Sequence, residues 1–377
     1  MKSVLQVMDY AAPYRGSFIE SLDRLDRELR KDGSRIVYVF PPNAATNSAA
    51  QWIGEMERSG SKTYFLTGRV AEDARLLRGI IREHDIGIVH THFENFRIDL
   101  AVYLATLFSG VRKVRHFRNH FPHRPLLKKA IKRVLFRDCD FICVSNSVTE
   151  GIRQEFPRNR SHAVENAIQY GRLDQFETLR KSDFGMDENS LVCFMMGFDF
   201  RRKGVDLALE AVRGLRERMD VRLMISVSAN LDTVKEHIRS QLGSIPEWVV
   251  LVPPRNDIAS YYRMADVFVS ASREEGFCNA LVEAAYCERM VVASRIPAQG
   301  DLQIPHAFWF EPGNAQDLRR QLLQALERRG SYAAELRQAR HAVEQTYDIS
   351  AWAQKIVSIY RSGTPAPGGQ RRRTQPV

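Results

Sequence analysis

Two glutamates eight positions apart, Glu275 and Glu283, bracket the segment of this chain richest in chemistry, SREEGFCNALVEAAYCERMVVAS, Ser272 to Ser294. It follows an apolar, strand-like run, and helical spacing begins near Cys278. Gly276 in the turn permits close backbone approach. The amides of Phe277, Cys278 and Asn279 would then open a helix, where unbonded N–H groups and the dipole favour an anion. Glu283 lies among Leu281, Val282, Ala284 and Ala285, where a carboxylate without a partner is costly. One carboxylate beside an anion site and a second further along the helix suit a polyhydroxylated ligand, because carboxylates accept hydroxyl hydrogen bonds in pairs.

A second cluster, MMGFDFRRKGVDLALEAV (Met195 to Val212), places Arg201, Arg202 and Lys203 between a strand ending at Gly197 and a helix beginning near Val205. Cations at the carboxyl end of a strand suit a diphosphate, with Lys203 the stronger candidate and Arg202 the second.

Elements able to hold these groups recur along the chain. Val4 to Met8, Arg35 to Phe40, Lys62 to Leu66, Ile86 to His92, Lys113 to Phe117 and Phe141 to Ser145 read as strands. Helical patterns such as Ser17 to Leu29 and Arg75 to Glu83 lie between them. After a polar stretch, Tyr170 to Asn189, the rhythm restarts with Leu191 to Gly197, Val221 to Val227, Trp248 to Val252, Asp266 to Ala271, Met290 to Ser294 and Ala307 to Glu311. Strands alternating with helices predict parallel sheets. Two such series predict two doubly wound α/β domains, 1–168 and 169–347. Open sheets of this kind bind ligands beyond the carboxyl ends of their strands. A helical region runs from Ala315 to Arg361, its last part (348–361) amphipathic. The tail 362–377, rich in Pro, Gly and Arg, cannot bury enough apolar surface to order itself.

Composition bounds the rest. The chain has 377 residues, a length that favours two domains over one core. No apolar run approaches the roughly 18 residues of a membrane span, and Asp9 interrupts the apolar start too early for a secretory signal. The five cysteines are scattered and odd in number, which predicts reduced thiols and a cytoplasmic setting. The net charge of +10 implies an attraction to anions.

SREEGFCNALVEA resembles the E-x7-E motif of retaining glycosyltransferases of family 4, which have the GT-B fold of two Rossmann-like domains facing each other across a cleft. GFDFRRKGVDLALEA is similar to their G-x6-KG motif. YYRMADVFVSAS, DIGIVHTHF, FICVSNSVTEGI and TYDISAWAQKIVSIY resemble further family segments, the last being a closing helix that crosses back to the first domain. The resemblance implies a nucleotide-diphosphate sugar as co-substrate, with neither metal nor other cofactor. It gives Glu283 the donor ribose, Glu275 the hydroxyls of the transferred sugar, Lys203 the diphosphate, the 277–279 amides the phosphates, and the loop Val252 to Asp257 the nucleobase. Three positions depart from the pattern: Phe198 stands where the family has Arg, Cys278 where it has Gly, and the glycine-rich first loop is reduced to Gly16.

The family also places a histidine near the donor sugar, within VRKVRHFRNHFPHR (Val111 to Arg124). His120 is the first candidate, then His116, and Arg118 could fill the same place. From Val111 to Arg137 there are ten Lys or Arg and no Asp or Glu. Arg124 to Arg137 reads as a basic amphipathic helix with Leu127, Ile131, Val134 and Leu135 on one face, which fits either a core-facing helix or contact with an anionic membrane surface. The expected protein is a retaining, metal-independent transferase acting on a saccharide or lipid-linked hydroxyl acceptor in cell-surface polysaccharide or glycolipid synthesis. It would be cytoplasmic, or peripheral on the inner face of the membrane. A nicotinamide oxidoreductase is disfavoured, because no G-x-G-x-x-G follows the first strand. Nucleic-acid binding leaves Glu275 and Glu283 without a role, and a non-catalytic sugar-nucleotide binder would not need Lys203 with both glutamates.

Overall fold

The computed structural model describes residues 2–12, 15–46, 51–119, 126–227 and 231–362. Strands β1 (Ser3–Met8), β2 (Ile36–Phe40), β3 (Lys62–Phe65), β4 (Ile86–His92), β5 (Arg112–Phe117), β6 (Cys139–Cys143) and β7 (Ser161–Ala163) form one sheet in the order β3-β2-β1-β4-β5-β6-β7. Strands β8 (Leu191–Met196), β9 (Val221–Ser226), β10 (Val249–Val252), β11 (Val267–Ser270), β12 (Met290–Ser294) and β13 (Phe308–Phe310) form a second, ordered β10-β9-β8-β11-β12-β13. Neighbouring strands pair in parallel throughout both sheets. Parallel pairing requires crossover helices, which cover both faces and explain why β2 and β12 are buried at every position.

The strand order reverses between β1 and β4 in the first sheet and between β8 and β11 in the second. A crevice opens at the carboxyl ends of the strands at such a switch point. The two crevices supply the two walls of one interdomain cavity.

The stretch 170–189 carries only two short 3-10 turns, Tyr170–Arg172 and Lys181–Phe184. The C-terminal helical region is three helices, Ala315–Arg328, Ala333–Thr346 and Ile349–Ser362. The last packs on the first-domain helix Gly16–Arg30. Arg112 donates to the carbonyls of Ile359 (2.9 Å) and Tyr360 (2.7 Å), using two acceptors that the end of that helix leaves unpaired. The tail expectation concerns residues beyond 362, outside the described residues.

Helix Leu126–Leu135 sits unexpectedly. Lys132 and Leu135 point inward, while Leu127 (73% exposed), Val134 (55%) and Ile131 (38%) point out. The reading that sends its apolar face into the core is corrected. Lys132 pairs with Glu94 and lies 3.9 Å from Asp99, which itself holds buried Arg115 at 2.7 Å. Burial pulls the Lys132 amine down to about 8. Leaving three aliphatic side chains in water forgoes ~1.5–3 kcal/mol for each one that could have been buried.

Candidate active site

A cavity of about 730 Å³ separates the domains. Its second-domain wall begins at the loop after β8. Gly204 has φ +67°, and a Cβ there would sit 1.9 Å from the Ala271 carbonyl oxygen at the end of β11. Only glycine allows that approach, and it brings Lys203 onto the next loop. The Lys203 Nζ donates to Glu275 Oε1 at 2.5 Å, and the Ser272 hydroxyl donates to the same oxygen at 2.8 Å. The Arg202 guanidinium lies 3.6 Å from Glu275 Oε2 and donates to Asp199 at 3.0 Å. Phe198 offers its ring to both cations, 4.7 Å from Lys203 Nζ and 5.3 Å from the Arg202 guanidinium carbon. Glu275 is thus nearly buried yet fully partnered, as a buried carboxylate must be.

Helix Asn279–Tyr286 starts directly behind the turn at Gly276. Among the described residues, no acceptor takes the backbone amides of Phe277, Cys278 and Asn279, and all three residues line the cavity. Behind them, buried Cys278 contacts the Ser270 hydroxyl at 3.6 Å, and burial pushes its thiol up to about 11, so it is no nucleophile at neutral pH. One helical stretch further on, Glu283 faces the same cavity. It accepts from Arg172 and, at 3.1 Å, from the buried Tyr262 hydroxyl.

The first domain closes the other side. A Cβ on Gly276 would lie 2.0 Å from the Arg118 carbonyl oxygen, so the domains touch at that turn. The Asn279 side-chain Nδ2 donates to the Ser17 hydroxyl (2.9 Å), and Asn166 donates to the Asn279 side-chain oxygen (3.2 Å). Arg15, Gly16, Glu20 and Asn119 complete this wall. Glu20 lies 3.2 Å from the Arg172 guanidinium, which therefore bridges the carboxylates of both domains. Burial lifts the Glu20 carboxyl to about 7 against the opposing pull of Arg172, and Glu283 nearby adds to the rise.

Comparisons with known proteins bear on the family and the fold. The profile described as glycosyltransferase family 4 matches residues 20–172, and that of the glycosyl transferases group 1 matches residues 189–328. The chain belongs to the group 1 glycosyltransferases. A D-inositol 3-phosphate glycosyltransferase of Pseudarthrobacter chlorophenolicus is 30% identical over 127 residues, 32% of this chain and 30% of its own. An uncharacterized glycosyltransferase of Methanocaldococcus jannaschii is 24% identical over 238 residues, 60% of each chain. The match thus spans less than two thirds of either relative. Among solved structures, a Rickettsia africae glycosyltransferase superposes with TM-score 0.79 at 17% identity, covering 96% of this chain and 98% of that one. Anabaena HepE, solved with UDP and glucose, gives 0.78 at 16% identity, covering 96% of this chain and 100% of its own. The fold is GT-B.

In this glycosyltransferase, the cleft gathers Lys203, Arg202, Gly276, Phe277, Cys278, Asn279, Glu275, Glu283 and Gly16, or the turns that carry them. Pro254, Arg255 and Asn256 from the loop after β10 border the same cavity. Arg201 turns away to Asp206 at 2.6 Å. His120 lies outside the described residues. His116 requires a correction. It is fully buried on β5, stacked on His90 and tilted against His92 of β4 on one sheet face, and does not line the cavity. Both faces of this sheet are covered, and β5 is buried from Val114 to Phe117, so His116 has no exposed side.

Those three imidazoles are the only group among the described residues with metal-ligand spacing, one ligand atom each within 4.8 Å of the others. Burial and the charges of Arg118 and Arg115 drive all three well below the usual imidazole range. The same positive field opposes a dication. The polar contacts of His90 and His92 run to the closing helix instead: His92 donates to Gln6 (2.6 Å), Gln6 donates to the Tyr360 hydroxyl (3.2 Å), and that hydroxyl meets His90 Nδ1 at 2.5 Å. Glu20, Arg172 and Tyr262 were missed by sequence reasoning. Glu20 reads as one more polar position of an amphipathic helix, and Arg172 lies in a polar linker with no motif around it.

Proposed function

We propose that this glycosyltransferase moves a sugar from a nucleotide-diphosphate donor to a hydroxyl acceptor with retention of anomeric configuration and without a metal. The observation that carries the reading is the convergence of Lys203, the 277–279 amides and the two buried glutamates on one cavity. As the donor bond breaks, negative charge grows on the diphosphate. The amides of the helix opening are preformed dipolar partners for that charge, and Lys203 and Arg202 supply cations beside them. Lys203 would leave Glu275 for the phosphates, freeing that carboxylate for sugar hydroxyls. Glu283 would take the ribose hydroxyls in place of part of its bond to Arg172. The acceptor hydroxyl attacks from the leaving-group side and passes its proton to the departing phosphate. HepE, solved with UDP and glucose, lends support to a UDP-type donor.

The acceptor is a saccharide or lipid-linked saccharide, and the setting is cell-surface polysaccharide or glycolipid synthesis at the cytoplasmic side. The test is a panel of UDP-, GDP- and ADP-sugars, scored by thermal stabilisation and by slow hydrolysis. One nucleotide class should raise Tm, and Lys203→Ala should abolish the rise. Stabilisation by NAD and by no sugar nucleotide would overturn the reading.

A further inference from the structure

We propose that the outer face of helix Leu126–Leu135, with the arginine-lined hollow at its C-terminal end, docks on the surface of an anionic phospholipid bilayer. The helix is mounted inside out relative to its own apolar stripe. Lys132 is 2% exposed, while Leu127, Ile131 and Val134, spaced as one helical face, stay in water. An element that turns a lysine inward and a row of aliphatic residues outward has an unused apolar face whose natural complement is acyl chain or another apolar surface. Buried Lys132 is locked by Glu94, so the helix cannot roll to hide the row without stranding that charge.

The surroundings select the occupant. Exposed Lys128 and Arg133 flank the row. Past the helix end, a hollow of about 980 Å³ is lined by Arg133, Arg137, Arg158 and Arg160 against Asp138 and Asp140. Asp140 is already shared by Arg112 (2.6 Å) and Arg160 (2.8 Å), so it cannot neutralise the rest. An apolar strip framed by guanidinium groups fits the boundary between acyl chains and phosphate headgroups. A second copy of the chain would bring these cations against their own kind. Among the described residues no helix is long and apolar enough to cross a membrane, so the contact is a surface one.

The proposal goes beyond the donor site and stands independently of it. The experiment is flotation of the full chain with vesicles of phosphatidylcholine alone and with about one third phosphatidylglycerol. Binding should favour the anionic vesicles by about tenfold or more and weaken as salt rises. The triple variant Leu127→Ser/Ile131→Ser/Val134→Ser and, separately, Arg137→Glu/Arg158→Glu should each lower binding about tenfold. Because the altered side chains are exposed or rim the hollow, Tm and the donor-induced thermal shift should stay unchanged. Every variant keeps the basic tail, so the difference reports the helix and hollow alone. Equal binding by parent and variants, or no preference for anionic vesicles, overturns the proposal. A concentration-dependent dimer that the triple variant abolishes also overturns it, in favour of a second copy.

Discussion

At the scale of single residues, Lys203 and Glu275 are coupled, and their substitutions should show it. Lys203→Ala removes a cation from the developing diphosphate charge, which should lower kcat/KM roughly 100- to 1,000-fold. It also strands a nearly buried carboxylate, lowering unfolding stability by ~1–3 kcal/mol. The double variant Lys203→Met/Glu275→Gln should recover much of the stability, measured by urea unfolding, and none of the activity. Recovery of both would make the pair structural. Their place at one site was legible in the sequence because charged residues at fixed offsets from glycines form a pattern, whereas their ion pair was not. Glu20 and Arg172 were not, since their meeting depends on how two domains close, which no local window records. His116 misled for the opposite reason. A histidine in a basic stretch looks available until the strand that carries it proves covered on both faces.

At the scale of elements, strand positions followed from short apolar runs to within a residue or two in most cases, and the second sheet was as readable as the first. Strand β7, three residues of mixed polarity at a sheet edge, carries no such signal. Helix Leu126–Leu135 shows where periodicity fails: its moment is real, but a buried ion-pair network outside the helix chose the face. The two glycine approaches can be tested. Gly204→Ala combines a left-handed backbone with an overlap against the Ala271 carbonyl and should cost about 3 kcal/mol of stability. Gly276→Ala pushes on the other domain through the Arg118 carbonyl, so its effect should fall on function. We expect kcat/KM to drop at least about tenfold with a smaller loss of stability, since misplacement of a reacting group by an ångström is that costly. Unaltered kinetics would show that this turn tolerates separation of the domains.

At the scale of the whole molecule, protonation links the domains. The Glu20 carboxyl titrates near 7 in the folded chain and near its ordinary value when unfolded. A raised carboxyl pKa gives stability that is full below the unfolded value and is lost as pH climbs through the folded one. The buried imidazoles act with opposite sign: held neutral, they give stability above the ordinary imidazole range that is lost on acidification. Glu20→Gln isolates the first contribution. Its Tm should gain on that of the parent as pH rises from about 5 to about 8, whereas a constant difference would refute the assignment. The five cysteines have a practical consequence of their own. All are buried, and burial raises every one of their thiols above the ordinary range. Maleimide reagents should therefore pass the native chain by, so one cysteine engineered on each rim of the cleft would accept a dye pair in an otherwise unaltered background and let the opening and shutting of the two halves be watched directly.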